Sequence, residues 1–254
     1  MEIGAIIIGD EILSGKRQDK HLSALIQILN QRGLKLSWAE YIGDNPIKIR
    51  ETFKKSFASG AVVFSFGGIG STPDDRTREC AAEAMGLPLA IHPEGKTILE
   101  SRFSDEMLYP HRIHMVNFPL GAALIPNPVN QIPGFYIQKH HFVPGFPSMA
   151  WPMVEWVLDT LYADCFPSEH DVEKAFRVFG VREGDLVSIM QQFVATYPDL
   201  GFSSLPSFGN ETHPAHVEFG VRGKEEQVNA AIQSLWSQLS EAGITVDAIR
   251  QINS

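Results

Sequence analysis

Little in this chain announces itself through covalent or strongly charged devices. It carries two cysteines, Cys80 and Cys165, in 254 residues. Two are too few for a disulfide framework, and neither stands in a CxxC or Cys/His metal spacing. No apolar run approaches the ~20 residues that span a bilayer. No basic stretch opens the chain, so no secretory signal is visible and a cytoplasmic protein without a membrane partner is expected. Cations are in the minority, 21 Lys and Arg against 30 Asp and Glu, for a net charge of −9. That balance argues against nucleic acid as a partner, because neutralising phosphates needs clustered Lys and Arg. No internal repeat or low-complexity tract interrupts the chain. What remains is ordinary globular composition, 44% hydrophobic and 20% charged, at a length that fits one large domain or a domain plus a smaller one.

The stretch that organises the rest is Phe64-Ser65-Phe66-Gly67-Gly68-Ile69-Gly70-Ser71-Thr72-Pro73-Asp74-Asp75. The apolar run Ala61–Phe66 reads as a strand buried on both faces. Gly67, Gly68 and Gly70 let backbone N–H groups approach a ligand with no Cβ in the way. Thr72 reads as a helix N-cap, with Pro73 at the first helical position and the helix running to about Met85. Strand, glycine turn and helix N-terminus together suit a phosphate or another anion. The loop matches neither GxGxxG nor GxxxxGK[ST], and it holds no lysine. Asp74 and Asp75 stand in the expected first helical turn instead. They either serve the helix dipole or face a ligand that brings a cation or hydrogen-bond donors.

Two further strands end the same way. Ile3–Ile8 is a continuous apolar run followed by Gly9-Asp10-Glu11, and Leu34–Ile42 alternates and ends at Gly43-Asp44. Between them Asp19 is placed to cap a helix over Lys20–Gln31, with Leu22, Leu25, Ile26 and Leu29 on one face. Pro46 opens a helix to about Ala58, with Ile47, Phe53 and Phe57 inward. In a parallel sheet the carboxyl ends of strands share one edge, where ligands bind. Asp10, Glu11, Asp44, Asp74 and Asp75 therefore converge although scattered in sequence. Downstream, Pro93 opens a helix to about Leu108, and Pro110 interrupts it. Arg112, between His111 and His114, is either a solvated surface cation or an anion clamp reaching the crevice. A hairpin, Phe135–Ile137 with His141–Val143, feeds Pro144-Gly145-Phe146-Pro147-Ser148, with Ser148 capping a helix over Met149–Leu161. His140 and His141 lack a third ligand at metal spacing and read as surface residues. Asp164–Asp171 reads as a linker. After it, Lys174–Phe179, Asp185–Ala195, Gly201–Pro206, His216–Val221 and Glu225–Ala242 read as strand, helix, strand, strand, helix, a small α+β unit without a glycine loop or acidic cluster. It is expected to be structural, oligomerising or a lid.

Ile8-Gly9-Asp10-Glu11-Ile12-Leu13-Ser14-Gly15, Gln18-Asp19, Ile42-Gly43-Asp44, Gly67-Gly68-Ile69-Gly70 with Thr72 and Asp74-Asp75, and Pro144–Ser148 occur in this order. Together they resemble the MoaB/Mog-like molybdopterin-binding domain. The nearest likeness is to the N-terminal domain of CinA (competence/damage-inducible) proteins and to the related domain of FAD synthetases. Phe179–Glu183 resembles the start of the second subdomain of the CinA type. The resemblance implies an α/β fold, a three-layer, doubly wound, mostly parallel sheet over residues 1–168, with a smaller C-terminal α+β domain over 169–254. It implies catalytic roles for Asp10, Glu11, Asp44 and Asp75, of which Asp44 and Asp75 would hold a metal. It places substrate contacts at Gly9, Ser14, Gly15, Asp19, Gly67, Gly68, Gly70, Ser71, Thr72, Asp74, Pro144, Gly145, Pro147 and Ser148, with Arg112 as the candidate clamp. Ser71 departs from the family, which commonly has proline there. The likeness does not extend to the amidase domain of CinA proteins or the adenylyltransferase domain of FAD synthetases, so neither activity is implied.

Members of that family bind a pterin, or hydrolyse a dinucleotide pyrophosphate of the ADP-ribose or FAD type with a divalent metal. Carboxylates without His or Cys favour Mg, Mn or Co over zinc. The leading expectation is therefore metal-dependent pyrophosphate hydrolysis. The alternatives are a molybdopterin-binding protein of cofactor synthesis without hydrolysis, and a non-catalytic ligand-binding or scaffold protein. A small-molecule nucleotide or pterin is the expected partner, in a homo-oligomer. Because the tail carries no polar constellation, deleting residues from Asp171 onward should leave ligand binding by the first domain intact. Lost binding in a truncated but folded protein would place part of the pocket in the tail.

Overall fold

Short apolar runs that can be covered on both faces build the centre of the first part of the chain. The computed structural model describes residues 1–168, 171–210 and 214–252, and the chain divides into two units, Met1–Phe166 and Pro167–Ser254. The expected linker, 164–171, includes residues 169 and 170, which lie outside the described residues.

The first unit runs β1 (Ile3–Ile8), α1 (Asp10–Leu13), α2 (His21–Asn30), β2 (Trp38–Ile42), α3 (Pro46–Ser59), β3 (Val62–Phe66), α4 (Thr77–Met85), β4 (Leu89–Ile91), α5 (Pro93–Arg102), α6 (Asp105–Leu108), β5 (Asn117–Pro119), β6 (Ala123–Ile125), β7 (Gly134–Ile137), β8 (His140–Val143) and α7 (Pro147–Leu161). Six strands form one sheet in the order β2-β1-β3-β8-β7-β6. The pairs β1–β2, β1–β3 and β3–β8 are parallel, and β7 and β6 extend the sheet antiparallel. Every residue of β1, β3 and β8 is buried. The period-2 alternation of strands divides them between two cores. Ile3, Ala5, Ile7, Phe64 and Phe66 pack with Leu25 and Leu29 of α2 and Val154 and Leu158 of α7. Ile6, Ile8 and Val63 pack on the other face with Ile49 and Phe53 of α3 and Ala81 of α4. The result is the three-layer, mostly parallel α/β arrangement expected for a doubly wound sheet.

Several local expectations are corrected. β2 begins only at Trp38, and the helix expected over 93–108 breaks into α5 and α6, with Phe103 extended between them. On α3 the inward residues include Ile49 and Phe53, while Ile47 is exposed. Ile26 is exposed as well, and Ile28 takes the inward place on α2. Both differences follow from which face of the helix meets the sheet, a tertiary choice that apolar spacing leaves open to within two residues. α7 starts one residue earlier than Ser148, with Pro147 in its first turn and Phe146 as N-cap.

The second unit comprises β9 (Val172–Phe179), α8 (Val187–Thr196), β10 (Gly201–Ser207), β11 (His216–Gly223), α9 (Glu225–Glu241), β12 (Thr245–Val246) and β13 (Arg250–Ile252). β11 lies between β10 and β9, and β12 and β13 both pair with β9, all antiparallel. Its core joins Phe176, Val178, Phe219 and Val221 of the sheet to Val228, Ile232 and Leu235 of α9. Among the described residues no helix is long and apolar enough to cross a membrane.

His140 and His141 belong to the core, not the surface. His140 Nε2 lies 2.8 Å from Ser56 Oγ, and Ser56 in turn donates to the Phe53 carbonyl, so His140 is the donor of the pair and its buried Nδ1 is left without a partner. His141 Nδ1 lies 3.2 Å from the Val63 carbonyl, an acceptor only, and Tyr162 OH lies 3.3 Å from its Nε2. Burial lowers both rings, His140 to about 3, with the neighbouring His141 adding to the effect, and His141 to about 4. A histidine whose folded pKa is depressed is protonated in the unfolded chain first, below its ordinary value of about 6.5. Stability should therefore be full above that value and fall as pH drops through the window from about 6.5 towards 4, by up to ~1.4 kcal/mol per pH unit for each ring. Urea unfolding of the His140→Asn, His141→Asn double variant should show a flatter pH dependence than the wild type across that window. Parallel slopes would contradict the account.

Candidate functional site

Three parallel strands with register Ile8–Ile42 and Ile7–Phe66 bring their carboxyl ends to one edge. Gly9, Gly43 and Gly67 follow them. The first acidic contact is reciprocal: the Asp10 N–H donates to Asp44 Oδ2 at 2.9 Å, and the Asp44 N–H donates to Asp10 Oδ1 at 3.2 Å. A side chain at Gly43 would collide with the Asp10 carboxylate, so the glycine makes the exchange possible. Gly9 N–H donates to the Ile42 carbonyl at 3.0 Å and closes the same junction.

The glycine loop is held from beneath. Gly68 sits in the left-handed region, φ 68°, and a side chain there would collide with the Thr77 hydroxyl. That hydroxyl donates to the Gly67 carbonyl at 3.0 Å, and the Thr77 N–H donates to the Gly68 carbonyl at 3.0 Å. The helix expected from Pro73 starts at Thr77, because residues 70–76 form a turn of their own. Asp75 closes that turn. Its Oδ1 accepts the Gly70 N–H at 2.8 Å, and its Oδ2 accepts the Thr72 N–H at 2.8 Å and the Thr72 hydroxyl at 2.6 Å. So Asp75 is a loop residue, not a first-turn dipole partner, and Thr72 is not an N-cap. Arg78 does not pair with Asp74. It is buried, and its Nη1 donates to the Ile69 carbonyl. Burial lowers its pKa, and the charge of Asp75 is the first influence that raises it again. The Ile69–Gly70 peptide is thus clasped from both sides, Arg78 on its carbonyl and Asp75 on its N–H. The N–H groups of Gly68, Ile69 and Ser71 have no acceptor among the described residues.

These pieces line a crevice of about 460 Å³. Of the residues expected at the site, Gly9, Glu11, Asp44, Gly67, Gly68, Gly70, Ser71, Thr72, Asp74, Asp75, Pro144 and Gly145 line it together. Asp19 and Pro147 line a smaller cavity alongside. Asp19 receives the N–H groups of His21 and Leu22, at 2.8 and 3.1 Å, and the Tyr41 hydroxyl at 2.7 Å. Asp10, hydrogen-bonded to Asp44, lines neither cavity. Ser14 and Gly15 lie in the exposed turn after α1, and Ser148 in the first turn of α7, outside both cavities. Arg112 is not brought in: it is exposed, bound to the Met107 carbonyl at 2.8 Å, with its guanidinium over the Phe103 ring at 5.4 Å. The cation that does line the crevice is Arg17, and nothing in its local sequence set it apart from Lys16 or Lys20. Asn127 and Asn130 form part of the far wall, from a stretch legible only as turn-rich.

Charge is unbalanced here. Burial raises the Asp44 carboxyl above the usual range, and the charges of Asp10, Glu11 and Asp74 raise it further, against the Asp10 N–H that lowers it. Among the described residues no three His, Cys, Asp or Glu side chains come together as a metal cage. Asp75→Asn cannot serve three donors, since its amide nitrogen accepts nothing. It should destabilise by on the order of 2 kcal/mol, the worth of hydrogen bonds to a charged group, whereas Asp74→Asn should be nearly neutral. Thermal denaturation of both variants decides this, and equal midpoints would remove Asp75 as the clasp.

A family model described as "Probable molybdopterin binding domain" matches residues 4–163. A CinA-like protein of Geotalea uraniireducens is 29% identical over 240 residues, covering 91% of this chain and 56% of that protein. A CinA-like protein of Sulfurihydrogenibium sp. is 32% identical over 189 residues, covering 71% of this chain and 46% of that protein. The chain thus spans about half the length of these CinA-like relatives. The crystal structure of the protein CinA from Thermoplasma acidophilum overlays with a TM-score of 0.57 at 24% identity, covering 62% of this chain and 96% of that one, a likeness of fold.

Proposed function

The chain belongs to the molybdopterin-binding domain family, in a CinA-like form, and from that premise we propose that its crevice takes a dinucleotide pyrophosphate and hydrolyses it with a divalent cation. The observation that carries this reading is the Asp44 carboxyl, raised by burial and by its acidic neighbours, beside a loop with N–H donors to spare. Such a site is suited to a ligand that brings an anion for the loop and a cation for the carboxylates.

The residues fit magnesium in one respect and not in another. Magnesium commonly takes one or two carboxylates and completes its shell with substrate phosphates and water, without a protein cage. Asp44 suits that role, with Glu11 beside it. Asp75, with both oxygens engaged by the loop, does not. A bound Mg, Mn or Co would supply charge neutralisation at the pyrophosphate and a more acidic water. The chain's own contribution is orientation and proton handling. The glycine-loop N–H groups direct the phosphate oxygens, Arg17 offers a planar guanidinium to them, and Glu11 is placed to take a proton from the attacking water. One observation favours the pterin alternative, binding without hydrolysis: the commitment of Asp75 to the loop leaves fewer carboxylates for a metal.

The deciding assay incubates the protein with ADP-ribose, FAD, NAD and molybdopterin, with and without Mg, Mn or Co. Metal-dependent release of nucleoside monophosphate is expected. Tight pterin binding with no turnover favours the alternative, and silence on all four ligands rejects both. Asp44→Asn should lower turnover by about a hundredfold, the scale of losing one electrostatic contact in an active site. The sign for stability is opposite. A carboxyl whose folded pKa is raised resists ionisation, so at neutral pH the wild type carries a strain that Asn relieves and a cation screens. Without metal, Asp44→Asn should melt higher than the wild type, and added Mn should raise the melting point of the wild type alone.

A further inference from the structure

His21 opens α2, lines the smaller cavity and is 5% exposed. Its backbone is pinned by Asp19, whose carboxylate accepts the His21 N–H at 2.8 Å and is itself tied to the Tyr41 hydroxyl at 2.7 Å. Its ring stacks on Phe66, centroids 4.6 Å apart, and Phe66 is the last strand residue before the glycine loop. The ring's Nε2 lies 3.2 Å from the Gly145 carbonyl. A carbonyl only accepts, so Nε2 carries the proton. Burial lowers the pKa of the ring, and in the neutral form Nδ1 is a bare acceptor, buried without a partner. Stability does not account for this choice of residue. Phenylalanine would keep the stack and bury no orphaned nitrogen, and water could serve the carbonyl of the half-buried Gly145 from the smaller cavity.

What the contact does fix is a peptide. Gly145 and Phe146 line both the crevice and the smaller cavity, and the bond between them is trans. In a trans peptide the N–H and C=O point in opposite directions. The Phe146 N–H has no acceptor among the described residues. The turn also lies against the glycine loop: a β-carbon on Gly145 would stand 3.5 Å from the Gly67 Cα, and the Gly67 N–H donates to the Val143 carbonyl at 3.0 Å.

We propose that His21 is a positioning residue: by holding the Gly145 carbonyl on the side of the smaller cavity, it turns the Phe146 N–H into the crevice as a further donor for phosphate oxygens. The inference rests on the pyrophosphate reading above and adds to it a residue that itself touches no substrate. Asp19 sets the backbone of His21, Phe66 sets the plane of its ring, and the Gly145 carbonyl takes its proton. One imidazole thus joins the start of α2, the end of β3 and the turn after β8. A donor fixed before the ligand arrives serves ground state and transition state alike, so its loss raises KM and spares kcat.

Steady-state hydrolysis of ADP-ribose with Mg, melting curves and NMR on the full chain test this. His21→Phe keeps the stack and removes both the Nε2 donor and the orphaned Nδ1. It should melt at or above the wild type, raise KM about tenfold, the scale of one hydrogen bond to a charged group, and leave kcat within about twofold. His21→Gln, whose amide nitrogen reaches the place of Nε2, should restore KM to within about threefold, whereas His21→Asn, which reaches only the place of Nδ1, should not. Labelling glycine with carbonyl 13C and phenylalanine with 15N selects three peptides, Gly134–Phe135, Gly145–Phe146 and Gly201–Phe202. The Gly145–Phe146 signal of the wild type, identified by its absence in Phe146→Leu, should move on adding the α,β-methylene analogue of ADP-ribose, which cannot be cleaved between its phosphorus atoms. Wild-type turnover with that signal unmoved, an unchanged KM in His21→Phe, or a KM that His21→Gln fails to restore overturns the inference and leaves the pyrophosphate reading standing. Neither turnover nor a moved signal in the wild type overturns the pyrophosphate reading, and this inference with it.

Discussion

One peptide unit, Ile69–Gly70, is clasped between a buried cation and a carboxylate, and the shape of the glycine loop depends on it. Arg78 donates to its carbonyl and Asp75 accepts its N–H. A guanidinium out of water is expensive unless its charge is answered. Here the answering charge acts through the peptide, which lengthens the ion pair by one backbone group and polarises that group along the way. The loop contains no lysine of its own, so the positive charge near its unpaired N–H groups comes from behind it. The same clasp decides what Asp75 can do. A carboxylate serving three loop donors is a structural part of the site and a poor candidate for a metal.

The parallel sheet supplies the other half of the constraint. Four strands aligned in one direction deliver the Gly9, Gly43, Gly67 and Pro144 turns to one edge. Backbone groups there would be left unpaired, and the chain satisfies them with acidic side chains: Asp10 and Asp44 exchange bonds across two strands, and Asp19 caps α2. The acids therefore do two jobs at once. They finish the fold, and they leave Asp44 in a field of like charge. Under the proposed function, stability and affinity would be coupled at this edge through the same carboxyl groups.

The positions that sequence misread are instructive because each is a matter of partners. His140 and His141 look like surface residues by type, yet Ser56, Val63 and Tyr162 supply hydrogen bonds that allow neutral rings inside. Arg112 looked able to reach the crevice, but the Met107 carbonyl and the Phe103 ring hold it elsewhere. Arg17 carried no signal at all, being one cation in Lys16-Arg17-Gln18-Asp19-Lys20.

Sequence alone determined the strands Ile3–Ile8 and, to within one residue of the observed Val62–Phe66, Ala61–Phe66, with the glycine at each strand end and the acids that follow. These are local facts: apolar runs must be buried, glycine permits a turn that other residues resist, and parallel strands share their carboxyl edge. Tertiary structure decided which carboxylate is spent on the loop, which cation lines the crevice, and which helix turn meets the sheet. A side chain's type states what bonds it can make, but its partner is set by chain segments far away in sequence, as with Asp10 and Asp44 across 34 residues. That choice is made only when the sheet closes and burial puts a penalty on every polar group left unpaired.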